Sequence, residues 1–494
     1  MLLHGIVFNK LLFPEILTAS LICIILLIDL LITKKHKVIT YCLTQAGLVA
    51  IMLLLAWNFR NLFDLQNSRE ENIFLIANGF AVNSQINFLK IIIIGCGVMI
   101  IGYSKDYLQQ HKHCYGEYLV LNMLAMLGAM ITISSRHLFN LYFGVEMLSL
   151  PIYGLIALGN KQYHLEAALK YFILSAIFSG ILLYGLSLLY GATGSLDFKS
   201  IINFIALGNI NNLFKVGMIL LFIGLFFKLN LVPFHLWVPD VYQGAVPTIG
   251  MLIATIPKIT TIAILGYLLQ EVFNKYVNYN WQNLLIAISL SSIIIGNLGA
   301  ILQNNLKRLL GYAAVAHSGF MLLGLATNQK SGMFAANLYV IVYSFMVIGI
   351  FGTVAIFANN IKDGQFVKID DFAGLANQHP WFAGILLIIL LSMAGVPPTV
   401  GFYVKFLIIK ELIAAKLTWV AIVSLLLSLM AWFYYLKIIK SMYFIQPDLG
   451  AINKQHNISI SNFSMGIITM NAILILATSI LPIVTNYNYI HFLY

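Results

Sequence analysis

Phe227-Lys-Leu-Asn-Leu-Val-Pro-Phe-His235, continuing to Pro239, interrupts an apolar run that begins near residue 211. The run is long enough to span a bilayer as a helix, yet its second half carries a lysine, a histidine and two prolines. A similar interruption, Gly395-Val-Pro-Pro-Thr-Val-Gly401, is followed by Lys405. Proline lacks a backbone donor and clashes with the preceding turn, so adjacent Pro397 and Pro398 should break their helix. In lipid a broken helix survives only where protein or water satisfies the freed backbone groups. The two interruptions lie five spans apart, a spacing that hints at two five-helix units of the kind from which transporters are built.

The composition around these stretches sets the class. Of 494 residues, 61% are hydrophobic and 9% charged, and mean hydropathy is +0.91. A soluble domain carries about 25% charged residues. Run after run approaches twenty apolar residues, the length demanded by a hydrocarbon core of roughly 30 Å. We place spans at 11–32, 38–57, 86–104, 115–134, 137–158, 166–190, 211–234, 246–270, 281–302, 311–327, 333–358, 381–411, 417–440 and 464–484. The expected fold is an all-α polytopic membrane protein of about fourteen helices, the seventh and twelfth broken. The first span lacks a basic start and a small-residue cleavage site, so it reads as a retained helix. The longest loop, 58–85, leaves no room for a soluble catalytic domain.

The formal charge of +11 forms no basic stripe or tail, so nucleic acid is not expected as a partner. With the termini outside, thirteen Lys/Arg fall in inner loops (Lys34, Lys35, Lys37, Lys105, Lys112, Lys161, Lys307, Arg308, Lys362, Lys368, Lys437, Lys440, Lys454). Nine fall outside: Lys10, Arg60, Arg69, Lys90, Arg136, Lys199, Lys275, Lys330 and Lys416. That bias favours outward termini. Cys23, Cys42, Cys96 and Cys114 are scattered without a CxxC pair and read as apolar fillers. Neither a phosphate-binding loop nor a dinucleotide fingerprint occurs.

The remaining charges are informative because they lie inside spans. Glu146 sits in the otherwise apolar Leu141-Tyr-Phe-Gly-Val-Glu-Met-Leu-Ser-Leu-Pro151. A carboxylate there is costly unless paired, hydrated or protonated, and intramembrane ionisable groups mark ion pathways. The alternative is a structural ion pair between helices. Lys228 adjoins the first break, and its alternative is a snorkelling side chain. Lys258 follows Pro257 about twelve residues into its span, beyond easy snorkelling reach, and Lys405 lies one to two turns past the second break. Histidine can pass a proton between its ring nitrogens, which makes His235 and His317 candidate links; each is alternatively a packing residue. Lys170 could snorkel or partner Glu146, Lys215 and Lys410 read as helix-end charges, Glu166 as a cap or edge charge, and Asp240 as interfacial. These groups together read as a chain for moving protons or cations across the membrane interior, without bond-making chemistry.

The stretch 227–247, Phe-Lys-Leu-Asn-Leu-Val-Pro-Phe-His-Leu-Trp-Val-Pro-Asp-Val-Tyr-Gln-Gly-Ala-Val-Pro, resembles the signature of the subunit N family of proton-pumping NADH–quinone oxidoreductases. The resemblance extends through Leu306-Lys-Arg-Leu-Leu-Gly-Tyr-Ala-Ala-Val-Ala-His317 and Leu391-Ser-Met-Ala-Gly-Val-Pro-Pro-Thr-Val-Gly-Phe-Tyr-Val-Lys-Phe406. It implies inverted five-helix repeats over spans 4–8 and 9–13. The corresponding divisions are an N-terminal helical segment at 1–110, repeats at 111–270 and 271–445, and a final loop and helix at 446–494. It further implies that Glu146, Lys228, Lys258 and Lys405 are the family's proton-relay residues, linked by His235 and His317. Ile256-Pro257 departs from the small-residue run usual before the Lys258 position, so altered local helix geometry is expected. The implied activity couples NADH-to-quinone electron transfer to outward proton movement in a bacterial inner membrane. NADH, flavin mononucleotide, iron–sulfur clusters and quinone would belong to other subunits, with no cofactor held by this chain. The implied partners are antiporter-like subunit M, the small membrane subunits J and K, the peripheral arm through the complex, lipid and protons. Mrp-type cation/proton antiporters share this core, but the Pro-Asp-Val-Tyr-Gln-Gly segment favours subunit N.

Overall fold

The structure is a computed structural model that describes residues 12–32, 37–67, 74–76, 79–110, 115–159, 161–208, 210–274, 279–360, 368–446 and 461–484. The first helices are α1 (Phe13–Leu31), α2 (Val38–Asn67), α3 (Ser84–Tyr103) and the short α4 (Lys105–Gln110). They are followed by α5 (Tyr115–Ser134), α6 (Leu138–Ala157), α7 (Gln162–Thr193), α8 (Phe198–Ala206), α9 (Asn212–Lys228) and α10 (Val238–Gly244). Next come α11 (Pro247–Tyr267), extended by a π-helical turn Leu268–Val272, then α12 (Tyr279–Ile301), α13 (Leu306–Ala326) and α14 (Lys330–Asn360). The chain ends with α15 (Leu375–Gln378), α16 (Pro380–Ala394), α17 (Val400–Ala414), α18 (Thr418–Phe444) and α19 (Asn462–Val484). Long helices suit these residues because each backbone donor finds its acceptor within the segment, as lipid requires.

Polar residues set several helix starts. Asn83, Asn211 and Asn305 accept hydrogen bonds from the backbone N–H groups of Ile86, Phe214 and Arg308, capping α3, α9 and α13. Between α2 and α3 the long loop contains an antiparallel pair, β1 (Phe74–Ile76) and β2 (Phe80–Val82), in register Phe74↔Val82. An isolated bridge, Phe80↔Ser135, ties this hairpin to the loop that follows α5, and a second, His137↔Asp197, ties that loop to the one that follows α7. Arg136 lies in that seam, its guanidinium 3.6 Å from the centroid of the Tyr267 ring. Burial pushes the Arg136 guanidinium below its usual value.

Eleven helices among the described residues are long and apolar enough to cross a membrane. In α11, α13 and α14 the most apolar stretch is 94% buried, whereas in α1, α7 and α18 it is 28–33% buried. The first three therefore form the axis of the molecule, and the others present Leu, Ile and Phe outward, as a lipid-facing rim does. α11 runs without a break through Pro257, so the geometric change expected there does not extend to an interruption.

The two interrupted helices end alike. After α9, Leu231 N–H bonds to Phe226 O and Asn230 N–H to Phe227 O, with Asn230 at φ 66°. After α16, Val396 N–H bonds to Leu391 O and Gly395 N–H to Ser392 O, with Gly395 at φ 78°. Both are Schellman terminations around a left-handed residue. Each helix thus stops before its prolines are reached. Downstream, Val232 N–H donates to Ser292 Oγ at 3.0 Å, so a serine of α12 satisfies one backbone group freed by the first break.

Candidate functional site

Five of the six expected relay residues, all but His235, fall into three clusters, or stations. At the first, Lys228 lies in the last turn of α9 and is 5% exposed. Its Nζ donates to Ser149 Oγ at 2.6 Å and to Ser175 Oγ at 2.8 Å. Ser149 belongs to α6 and Ser175 to α7. Tyr153 OH donates to Ser175 Oγ at 2.5 Å, extending the hydroxyl cluster. Glu146 stands one turn before Ser149 on α6, and its Oε1 is buried without a hydrogen-bond partner. Among the described residues, no ion pair joins Glu146 to a lysine.

The second station is central. Lys258 on α11 is fully buried, and its Nζ donates to Ala314 O at 2.8 Å, Ser318 Oγ at 2.9 Å and, more distantly, Tyr343 OH at 3.5 Å. His317, on the same face of α13, lies between two phenols. Its Nδ1 is 2.8 Å from Tyr339 OH and its Nε2 is 3.3 Å from Tyr435 OH, the donor in each pair being set by the ring tautomer. Tyr343 touches both groups, its ring centroid 5.0 Å from that of His317.

At the third station Lys405, on α17, reaches back across the second break. Its Nζ donates to Ala394 O at 2.9 Å, a carbonyl left open at the end of α16, and Trp432 Nε1 donates to the same oxygen at 3.1 Å. A cation suits that position because the helix dipole is negative there. The Lys405 Nζ is also 5.7 Å from the centroid of Phe320, on α13.

His235 does not join these stations. It is buried in the segment between α9 and α10, its Nδ1 has no partner, and no side-chain hydrogen bond connects it to Lys228 or Lys258. Lys170 pairs with Glu166 at 2.8 Å and Asp240 at 3.1 Å, not with Glu146. Asp240 also binds Arg308 at 2.7 Å, and Lys307 donates to Ala245 O at 3.0 Å. Lys90, counted above among outer-loop charges, is fully buried on α3 and forms an ion pair with Glu15 of α1. Sequence reasoning missed this pair because Lys90 lies close to the beginning of its span. It also missed Ser149, Ser175, Tyr153, Ser318, Tyr339, Tyr343 and Tyr435. The available signal was spacing: Ser149 is three residues after Glu146, and Tyr339 and Tyr343 share a face of α14.

A bundle with two broken helices and unpaired lysines in its core belongs to the antiporter-like class of membrane subunits. Residues 135–431 match the family described as NADH:quinone oxidoreductase/Mrp antiporter, TM. NADH-quinone oxidoreductase subunit N of Ruthia magnifica subsp. Calyptogena magnifica is 40% identical over 95% of this chain and 94% of its own length. Among solved structures, a chain of respiratory complex I from Thermus thermophilus with bound aureothin superposes with TM-score 0.78 at 26% identity, covering 95% of this chain and 98% of that one. A chain of the Mrp complex from Dietzia sp. DQ12-45-1b also reaches TM-score 0.78, covering 100% of both chains, but at 17% identity it shares the fold alone. The chain belongs to the NADH-quinone oxidoreductase subunit N family.

Proposed function

We propose that this chain is a proton-translocating membrane subunit of an NADH–quinone oxidoreductase, with Glu146, Lys228, Lys258, Lys405 and His317 as its proton-handling groups. The observation that carries this reading is the isolation of the lysines. Lys228, Lys258 and Lys405 are 5%, 0% and 7% exposed, and none makes an ion pair among the described residues. A scaffold would pair its buried charges, since an uncompensated ammonium in an apolar interior is costly. Neutral hydroxyls and carbonyls hold these three, an environment suited to groups that gain and lose protons. His235 keeps a place in the proposal only as a buried group beside the first break.

The lysines make no direct hydrogen bond to one another, so transfer between stations needs side-chain motion or intervening water. Redox chemistry, with NADH, flavin, iron–sulfur clusters and quinone, belongs to other subunits of the complex. Subunits M, J and K and the peripheral arm are the proposed partners. Counting the interrupted pairs α9/α10 and α16/α17 and the final helix α19 with the eleven long helices supports fourteen spans. The matching helix terminations support repeats at 111–270 and 271–445. Removing Lys90 from the outer set strengthens the charge bias for outward termini in a bacterial inner membrane.

The test is NADH-driven proton pumping in vesicles carrying the assembled complex with Lys228→Ala. Pumping should fall about tenfold or more while assembly stays normal, as expected for a lost proton-transfer group. Unchanged pumping would return the buried charges to a structural role. Cation/proton exchange by the chain in membranes lacking the rest of the enzyme would favour the antiporter reading instead.

A further inference from the structure

We propose that the cleft between α7 and α10 seats the headgroup of a zwitterionic phospholipid carrying a primary ammonium, with its acyl chains laid along the outer face of α7. The site stands apart from the three stations and does not depend on proton handling by the lysines.

The cleft begins with a close approach. A Cβ added to Gly244 would collide with Ala167, so the end of α10 lies directly against α7. Side chains around that contact enclose about 210 Å³, lined by Tyr163, Glu166 and Lys170 of α7 and by Asp240 and Gln243 of α10. Glu166, Lys170 and Asp240 are 63%, 45% and 35% exposed, so the cleft opens outward. Its depth in the membrane follows from the length of α7. That helix has 32 residues and is about 48 Å long, against a hydrocarbon core of roughly 30 Å. Even at a tilt of about 20° it outreaches the core. Its first two turns, with Glu166, therefore stand among the headgroups, and Lys170 sits at their border.

Charge selects the headgroup. Lys170 pairs with Glu166 and Asp240, and Asp240 pairs with Arg308 of α13. Two cations and two anions cancel, so no net field draws in a simple anion or cation. The lining instead presents both signs side by side, which complements an ammonium linked to a phosphodiester. Among the described residues Lys170 spends two of its three donors on these carboxylates, leaving one for a phosphate oxygen. The carboxylates have further lone pairs for the N–H groups of a primary ammonium. A quaternary choline has no such donors and forfeits that half of the contact. The surface beyond the cleft makes the ligand a lipid and not a soluble zwitterion. Leu165, Leu169, Phe172 and Ile173 are 46% to 59% exposed, and their spacing sets them in one stripe running from the cleft along α7.

The experiment places the assembled complex in nanodiscs of equal parts phosphatidylethanolamine, phosphatidylcholine and phosphatidylglycerol. Each lipid in turn carries a photoreactive group near the top of one acyl chain, and cross-linked peptides are counted by mass spectrometry. Labelling of the 162–173 stretch should be about threefold higher from phosphatidylethanolamine than from either other lipid, the ratio that a partly exposed charge contact supplies. Glu166→Gln should erase that preference, and Glu166→Lys, which makes the lining net positive, should turn it toward phosphatidylglycerol. Equal labelling by the three lipids in the unaltered chain, or an unchanged preference in both variants, would overturn the headgroup site. If Glu166→Lys does not assemble, Glu166→Gln decides alone, and a retained preference overturns the site. Absence of label from 162–173 while other parts of the complex are labelled would also overturn it, since a neighbouring protein would then cover this face of α7.

Discussion

Lys258 shows how one residue separates structure from chemistry. Its ammonium ties α11 to α13 through Ala314 O and Ser318 Oγ, so deletion could act by loosening the core. Methionine keeps an unbranched stem and fills the same space without charge. Lys258→Met is therefore expected to assemble normally and pump about tenfold less. Loss of assembly, measured as complex content of the membranes, would make Lys258 a strut. The charged stations were legible in the sequence because an ionisable group stands out in an apolar run. Their partners were not, because serine and tyrosine occur throughout the spans and only folding selects which face the lysines. His235 illustrates the converse: its position was legible, but its expected role as a link has no hydrogen bond behind it.

At the scale of elements, the breaks were legible from Pro397 and Pro398 and from Pro233, though not their mechanism. Left-handed Asn230 and Gly395 end the helices, and the prolines follow. Close approach then holds the second break together. A Cβ added to Gly401 would collide with the Ser392 carbonyl oxygen, so α17 fits against the end of α16 only with glycine at that position. Gly401→Ala should destabilise this region by about 1–3 kcal/mol through overpacking. The measurement is the heat-inactivation midpoint of the membrane-bound complex, and an unchanged midpoint would show that the two halves have slack.

At the scale of the molecule, Asp240 joins regions far apart in the chain. It is held by Lys170 from the first proposed repeat and Arg308 from the second, while His164 Nδ1 at 2.5 Å and Lys307 at 3.0 Å contact the Gly244 and Ala245 carbonyls nearby. The bridge is partly exposed, so its worth is about 1 kcal/mol or less. Asp240→Ala should lower thermal stability slightly, and adding Lys170→Ala and Arg308→Ala should cost little more, because all three remove one network. Additive losses would show that Asp240 does not bridge them. No sequence pattern signalled this contact, since it depends on how the halves are docked.

The Glu15–Lys90 pair has a consequence for how the chain is made. Glu15 is synthesised well before Lys90, so the carboxyl of α1 meets this counter-charge only once α3 has been made. An unpaired ion in hydrocarbon is unfavourable by several kcal/mol, so the pair favours α1 seated beside α3 over α1 inserted alone. Full seating of α1 is therefore expected to follow the docking of α3.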